Sequence, residues 1–255
     1  MKEFPQLRYS SQHGQLSYTR IGIIADKLLT RMIDWIRQKV VLVGLLFLLI
    51  SSLGLNFWQF QKNQQLRQVG GIKVIGVIDG DTLVLEGKVR LRLRQVDAPE
   101  LEYCRGKEAK EFLEKLVKNK VIFIKEKILD QKGRAMALVY LADGTLVNQE
   151  ILARGLGRYH HDKTSVSSKL KTAFEQAKAD QRGIFSPDCY QTEPSRPDCV
   201  IKGNIDRNNK KIKRYYLPSC AQYQFVIVEK DLGEQWFCSE QEAQKAGYRK
   251  AKTCR

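Results

Sequence analysis

The longest uninterrupted apolar run, VVLVGLLFLLISSLGLNFW from Val40 to Trp58, contains no charged side chain. Its length is close to the roughly 20 residues that cross a bilayer's hydrocarbon, so it predicts a transmembrane helix. Trp35 on one side and Phe57, Trp58 and Phe60 on the other suit interfacial anchors. Before it, residues 1–39 are polar and basic, with an amphipathic patch, IGIIADKLLTRMIDWI, at 21–36. After it, the Gln-rich stretch 59–70 suits a tether.

From residue 71 the pattern changes to alternation. IKVIGVI (72–78), TLVLEG (82–87) and VRLRLRQV (89–96) predict three strands, broken at Asp79, Gly80 and Gly87. GKEAKEFLEKLVKN follows with Ala109, Phe112, Leu113, Leu116 and Val117 at helical spacing, one stripe of an amphipathic helix. VIFIKEKI and AMALVYLA predict two further strands around the polar loop DQKGR. VNQEILARG and SKLKTAFEQAKADQRG predict two helices closed by Gly155 and Gly183. Three strands, helix, two strands, helix, helix is α+β and mainly β. It matches a five-stranded Greek-key barrel of the OB type with three helices better than a doubly wound sheet, which needs strict alternation.

Pro187, Pro194 and Pro197 mark 187–198 as a linker. Residues 199–255 then hold the strand-like pieces IKGNI, KRYYLP, FVIVEK and EQWFC, and a helical segment with Ser239 as cap and Gly247 near its end. So short a piece builds a thin core, and two disulfides are a natural supplement. The expected layout is therefore an N-terminal cytoplasmic segment 1–39, a membrane helix 40–58, a tether 59–70, a barrel domain 71–186, a linker 187–198 and a Cys-containing module 199–255.

Charge and cysteines add compartment and partner. Lys and Arg number 44 against 28 Asp and Glu, a formal net charge of +16, which favours a polyanionic partner, nucleic acid or anionic lipid. Arg20, Lys27, Arg31, Arg37 and Lys39 precede the apolar run and Lys62, Arg67 and Lys73 follow it, a bias that points the N-terminus into the cytoplasm. The long polar start favours an uncleaved signal anchor, with Ser52 and Gly54 marking where cleavage would fall. All six cysteines (104, 189, 199, 220, 238 and 254) lie after the run. Their spacing lacks a CxxC or HxxxH pair, so disulfides in an oxidising compartment are favoured over a zinc site. The expected location is the cell membrane, single-pass, with the barrel domain outside the cytoplasm. A bond between Cys104 and Cys189 would tie the loop after DAPE to the end of the barrel domain.

The densest chemistry is IDGDT at 78–82, RLRQVDAPE at 92–100 and DQKGRAMALVY at 130–140. Asp79, Asp81, Asp97 and Glu100 stand beside Arg90, Arg92 and Arg94, which share one face of a strand. Aspartate oxygens suit a hard cation such as Ca²⁺, and guanidinium groups suit phosphate. Together they are the parts needed to hydrolyse a phosphodiester.

These residues resemble the staphylococcal-type thermonuclease family, whose barrel carries an IDGDT turn, an R-x4-D-x-P-E strand and a D-x-x-G-R loop. All three occur here in that order and spacing, over residues 71–186. The resemblance implies Ca²⁺-dependent endonuclease activity on DNA and RNA with little sequence specificity, leaving 3′-phosphates. It implies Asp81, Asp97 and the backbone carbonyl of Ala98 as metal ligands, Glu100 as the residue that handles the attacking water's proton, and Arg92 and Arg134 as the phosphoryl clamp. Asp79 and Thr82 are expected to build the turn around the ligands. No small-molecule cofactor is implied, and the oligomeric state stays open.

The chain departs from the family at the tyrosines that surround the base and sugar; those positions here are Lys132, His161 and Lys163. Arg158, Tyr159, His160, Lys132 and Lys163 are expected to supply phosphate contacts or an altered platform. The C-terminal piece resembles a small module appended to some bacterial nucleases. The alternative function is a non-catalytic module binding nucleic acid or a surface polymer on a nuclease-like barrel. Against it, Asp81, Arg92, Asp97, Glu100 and Arg134 are all present.

Overall fold

The structure, a computed structural model, describes residues 35, 37–57, 70–207, 209 and 211–254. The N-terminal patch at 21–36 and the tether at 59–70 lie outside the described residues, apart from Trp35 and Gly70. Helix α1, Arg37–Phe57, has 21 residues, a mean hydropathy of 2.4 in its most apolar window, and the length to cross a membrane. Its side chains are exposed throughout, so no core among the described residues takes up its apolar surface.

Residues 62–255 form a second compact unit. It starts with β1 (Ile72–Val77), β2 (Thr82–Leu85) and β3 (Val89–Leu93), a meander of antiparallel pairs. The chain then kinks into a short β4 (Val96–Asp97), enters α2 (Gly106–Val117), and returns as the hairpin β5 (Val121–Leu129) and β6 (Ala135–Leu141). Pairing of β3 with β6 in parallel and of β5 with β1 closes a barrel in the order β1-β2-β3-β6-β5, the expected OB-type architecture. Leu83, Leu91, Leu93, Ile122 and Leu138 fill it from alternate strand positions. Ala109, Leu113 and Val117 of α2 are buried against that core, and Phe112 and Leu116 flank them. Helix α3 (Val147–Ala153), the short β7 (Arg158–Tyr159) and α4 (Ser167–Ala179) complete the domain.

Two boundaries differ most from the sequence pattern. The predicted strand 89–96 breaks at Gln95, whose φ is +64°. Its buried amide side chain donates to Tyr159 Oη and Ser167 Oγ and to the carbonyl of Asp162 and accepts from Thr164 Oγ1, contacts that hold the kink. β4 then pairs with β7 rather than continuing β3. The last helix stops at Ala179, before Gly183. Gly183 and Gly155 instead meet backbone to backbone, with the Ile184 N–H donating to the Gly155 carbonyl at 2.8 Å, and a Cβ on Gly183 would lie 2.2 Å from that oxygen.

Asn148, fully buried on α3, accepts from the Val139 N–H at 2.9 Å and donates to the carbonyls of Arg94 and Ala137. Asn148→Leu strands these buried backbone groups, and about 3 kcal/mol of stability is expected to go with them, read as a lower midpoint in urea.

The stretch 187–198 carries Cys189, bonded to Cys104 as expected, and strand β8 (Tyr190–Gln191). Beyond it β9 (Ile201–Ile205), β10 (Lys213–Tyr216), β11 (Val228–Glu229), β12 (Trp236–Phe237), α5 (Glu240–Lys245) and β13 (Arg249–Lys250) follow in turn. One sheet runs β12-β9-β10-β13, and β11 pairs separately with β8. Tyr215, Phe237, Ala243 and Tyr248 form its small core. Cys199–Cys238 and Cys220–Cys254 staple it. The main chain joins it to the barrel domain beside the first disulfide, where Cys104 N–H donates to Lys230 O and Lys230 N–H to Cys189 O.

Candidate active site

The IDGDT turn is built by its own side chains. Asp79 Oδ1 accepts from the Asp81 N–H at 3.1 Å, an Asx turn, and Thr82 Oγ1 donates to Asp81 Oδ1 at 2.9 Å. Gly80 is required by close approach, since a Cβ there would lie 2.6 Å from the methyl groups of both Ala98 and Ala109. The turn therefore seats directly on the DAPE segment.

Asp81 is buried, and its second oxygen accepts from the Ala98 N–H at 2.8 Å. Arg92 lies between two carboxylates, donating from Nη1 to Asp81 Oδ1 and from Nη2 to Asp97 Oδ1, the latter at 2.8 Å. Burial pushes the Asp81 carboxyl up to about 7, against the pull of the Arg92 guanidinium. Asp97, Glu100 and Arg134 are exposed, and the Glu100 carboxylate makes no hydrogen bond or ion pair among the described residues. The D-x-x-G-R loop closes on Asp130, which accepts from the N–H groups of Lys132 and Arg134 and holds Arg134 Nε at 2.7 Å.

Asp81, Arg92, Asp97, Ala98, Glu100 and Arg134 all line one cleft of about 630 Å³, as do Lys132, Tyr159 and His160. The three arginines of the 89–96 run part company. Arg90 is exposed, Arg92 lines the cleft, and Arg94 is buried in a bridge to Asp162 and to the carbonyls of Glu126 and Lys163. Arg158, expected at a phosphate, lines the same cleft but is already paired with acids of the C-terminal module: it donates to Asp231 at 2.7 and 2.8 Å and to Glu229 at 3.2 Å. Burial pushes the Asp231 carboxyl up, and Arg158 offsets part of this.

Sequence reasoning missed the far wall. Ile205, Asp206, Arg207 and Leu232, all from the C-terminal module, line the same cleft. No local signal marks them, because their place depends on pairings across distant parts of the chain.

The donor set suits a hard divalent cation: carboxylates at Asp81 and Asp97 with a backbone carbonyl at Ala98, oxygen only, without thiol or imidazole in the set. A carboxyl as buried as Asp81 also gains from a cation beside it in its ionised form. The groups of cysteine and aspartate that come close enough for a metal elsewhere, around Cys104–Cys189 and Cys199–Cys238, are disulfides.

A five-stranded OB-type barrel with an acid-and-arginine cleft at its rim defines a domain of the nuclease class. Residues 90–187 match the family model described as staphylococcal nuclease homologue. An uncharacterized endonuclease of Escherichia coli O157:H7 is 30% identical over 117 residues, 45% of this chain and 76% of that protein. The probable staphylococcal-like nuclease CAN1 of Oryza sativa is 32% identical over 126 residues, 49% of this chain and 35% of its own length. Endonuclease YhcR of Bacillus subtilis is 25% identical over 206 residues, covering 69% of this chain and 16% of that protein. The chain belongs to the staphylococcal nuclease homologues.

Proposed function

We propose that the chain is a membrane-anchored, Ca²⁺-dependent endonuclease that hydrolyses DNA and RNA with little sequence specificity and leaves 3′-phosphates. The observation that carries this reading is the convergence of Asp81, Arg92, Asp97, Glu100 and Arg134 on one cleft. Names given to the relatives, endonuclease and staphylococcal-like nuclease, support the same class. In the proposed layout residues 1–39 are cytoplasmic, 40–58 cross the membrane, 59–70 tether, 71–186 form the nuclease domain, 187–198 link, and 199–255 form the accessory module outside the cytoplasm. Helix α1 supports the anchor by length and hydropathy.

Asp81, Asp97 and the Ala98 carbonyl would hold the ion, which when bound supplies Lewis-acid polarisation and positive charge near the scissile phosphate. Glu100 is the one acid of the set without a partner among the described residues, so it is placed to accept the proton of the attacking water. Water adds to phosphorus as the P–O5′ bond breaks, and the departing 5′-oxygen takes up a proton, leaving the phosphate on the 3′ side. Arginine stays protonated and cannot act as the base; Arg92 and Arg134 bind the phosphoryl oxygens as charge builds. Asp130 holds Arg134 through Nε, so among the described residues its two terminal nitrogens keep donors for other acceptors.

The oxidised full chain in detergent is expected to cleave single-stranded DNA, duplex DNA and RNA with Ca²⁺, and to stop when the ion is chelated. End-labelled products carrying 3′-phosphate support the reading. Absence of cleavage by folded protein, across metals and substrates, moves the assignment to a binding module on a nuclease-like barrel.

A further inference from the structure

The module's share of the cleft wall continues into a second groove of about 380 Å³, which holds Ile205, Asp206 and Arg207 in common with it. The second groove adds Tyr190 and Phe225. Phe225 is 75% exposed, more than any other large apolar side chain among the described residues. It stands at the end of a short 3-10 turn, Tyr223–Phe225, pinned from beneath by the buried Lys202, which donates to the carbonyls of Tyr223 and Val226 at 3.1 and 2.7 Å. Held in this way, the ring is open to a stacking partner at the mouth of the groove.

Arg207 sits where the two grooves meet, 65% exposed. Its Nη2 donates to both oxygens of the buried Glu229, at 2.6 and 2.8 Å, and Glu229 also receives Arg158. Both bonds leave from Nη2, so among the described residues Nε and Nη1 keep donors for a further anion. Glu234 fixes the position: buried, it accepts from the N–H groups of Ile205 and Glu229 at 2.8 Å each and so ties the two strand ends that carry the site. The acid beside Arg207, Asp206, accepts from the Asn209 N–H.

We propose that this groove is a strand-binding subsite: Arg207 takes a backbone phosphate and Phe225 stacks a base of single-stranded nucleic acid whose scissile bond lies in the neighbouring cleft. A cationic step followed by an aromatic platform is the chemistry that holds single strands without reading sequence. It also replaces, from the module side, stacking that the barrel lacks at Lys132, His161 and Lys163. The proposal rests on the reading of the cleft as a phosphodiesterase site.

Arg207→Ala and Phe225→Ala, in the oxidised full chain, are tested against a dinucleotide and a single-stranded 12-mer. The expected result is a KM for the 12-mer raised roughly ten-fold in each variant, with dinucleotide hydrolysis unchanged in Phe225→Ala and, in Arg207→Ala, whose side chain also lines the cleft, affected much less than the 12-mer. For Arg207→Ala alone, the dependence of log KM on log salt becomes shallower by about 0.7, the loss of one phosphate contact on a single strand. An unchanged KM for the 12-mer, or equal loss on both substrates, overturns the subsite. Binding of a labelled 12-mer in a Glu100→Gln background reads the same contacts without turnover, whereas a parent chain, with Glu100 in place, that binds the strand through them but cleaves nothing overturns the hydrolase reading separately.

Discussion

Glu100→Gln is expected to slow phosphodiester hydrolysis by roughly 10²- to 10⁴-fold, the range for removing a general base, while leaving the protein folded and able to bind a strand. The carboxylate is exposed and makes no hydrogen bond or ion pair among the described residues, so its replacement by an isosteric amide removes no native contact. Single-turnover cleavage of an end-labelled oligonucleotide at saturating Ca²⁺, with circular dichroism to check the fold, measures this. Arg92→Ala should lose a similar factor, but with a stability cost as well, because Arg92 is the partner of the buried Asp81. A Glu100→Gln protein that cleaves at the parent rate would place the proton acceptor elsewhere.

Replacing both Cys104 and Cys189 by alanine is expected to lower stability by about 3–4 kcal/mol, because the bond closes a loop with a sequence separation of 85. The transition should fall by roughly 10 °C for a unit of this size, measured by calorimetry on oxidised protein. The loss is expected to be local before it is global. The backbone bonds from Cys104 to Lys230 and from Lys230 to Cys189 flank the disulfide, and the Arg105–Asp188 pair lies next to it. Amide exchange should therefore rise first around residues 228–234. A variant with unchanged melting and unchanged exchange there would show the junction to be held by the Arg158–Asp231 and β8–β11 contacts alone.

The barrel was legible because its strands alternate and its turns carry Asp and Gly, so period and punctuation agree. The kink at Gln95 was not: a non-glycine residue at positive φ leaves no mark in the sequence, and it is held by the side chains of Tyr159, Thr164 and Ser167, far along the chain. Gly183 shows the opposite error. A glycine after a helical run predicts a helix end, whereas this one is needed where two backbones touch. In the cleft, the three motifs brought their residues together as expected, but Arg158 could not be assigned from its neighbours in sequence. Its partner Asp231 comes from a module whose sheet order, β12-β9-β10-β13, depends on long-range pairings that short strand-like pieces do not specify.

The disulfide pairs differ in how they relate to the order in which the chain is made. Cys104 and Cys189 are consecutive cysteines, so pairing each thiol with the next to emerge gives the native bond. The next four are interleaved: Cys220 emerges before Cys238, the true partner of Cys199, and Cys238 before Cys254, the true partner of Cys220. First-come oxidation of the module would join Cys199 to Cys220 and Cys238 to Cys254. Its native form is thus reached by delaying oxidation until Cys238 and Cys254 have emerged or by exchange of wrong bonds for right ones, a step that added thiol–disulfide isomerase is expected to speed.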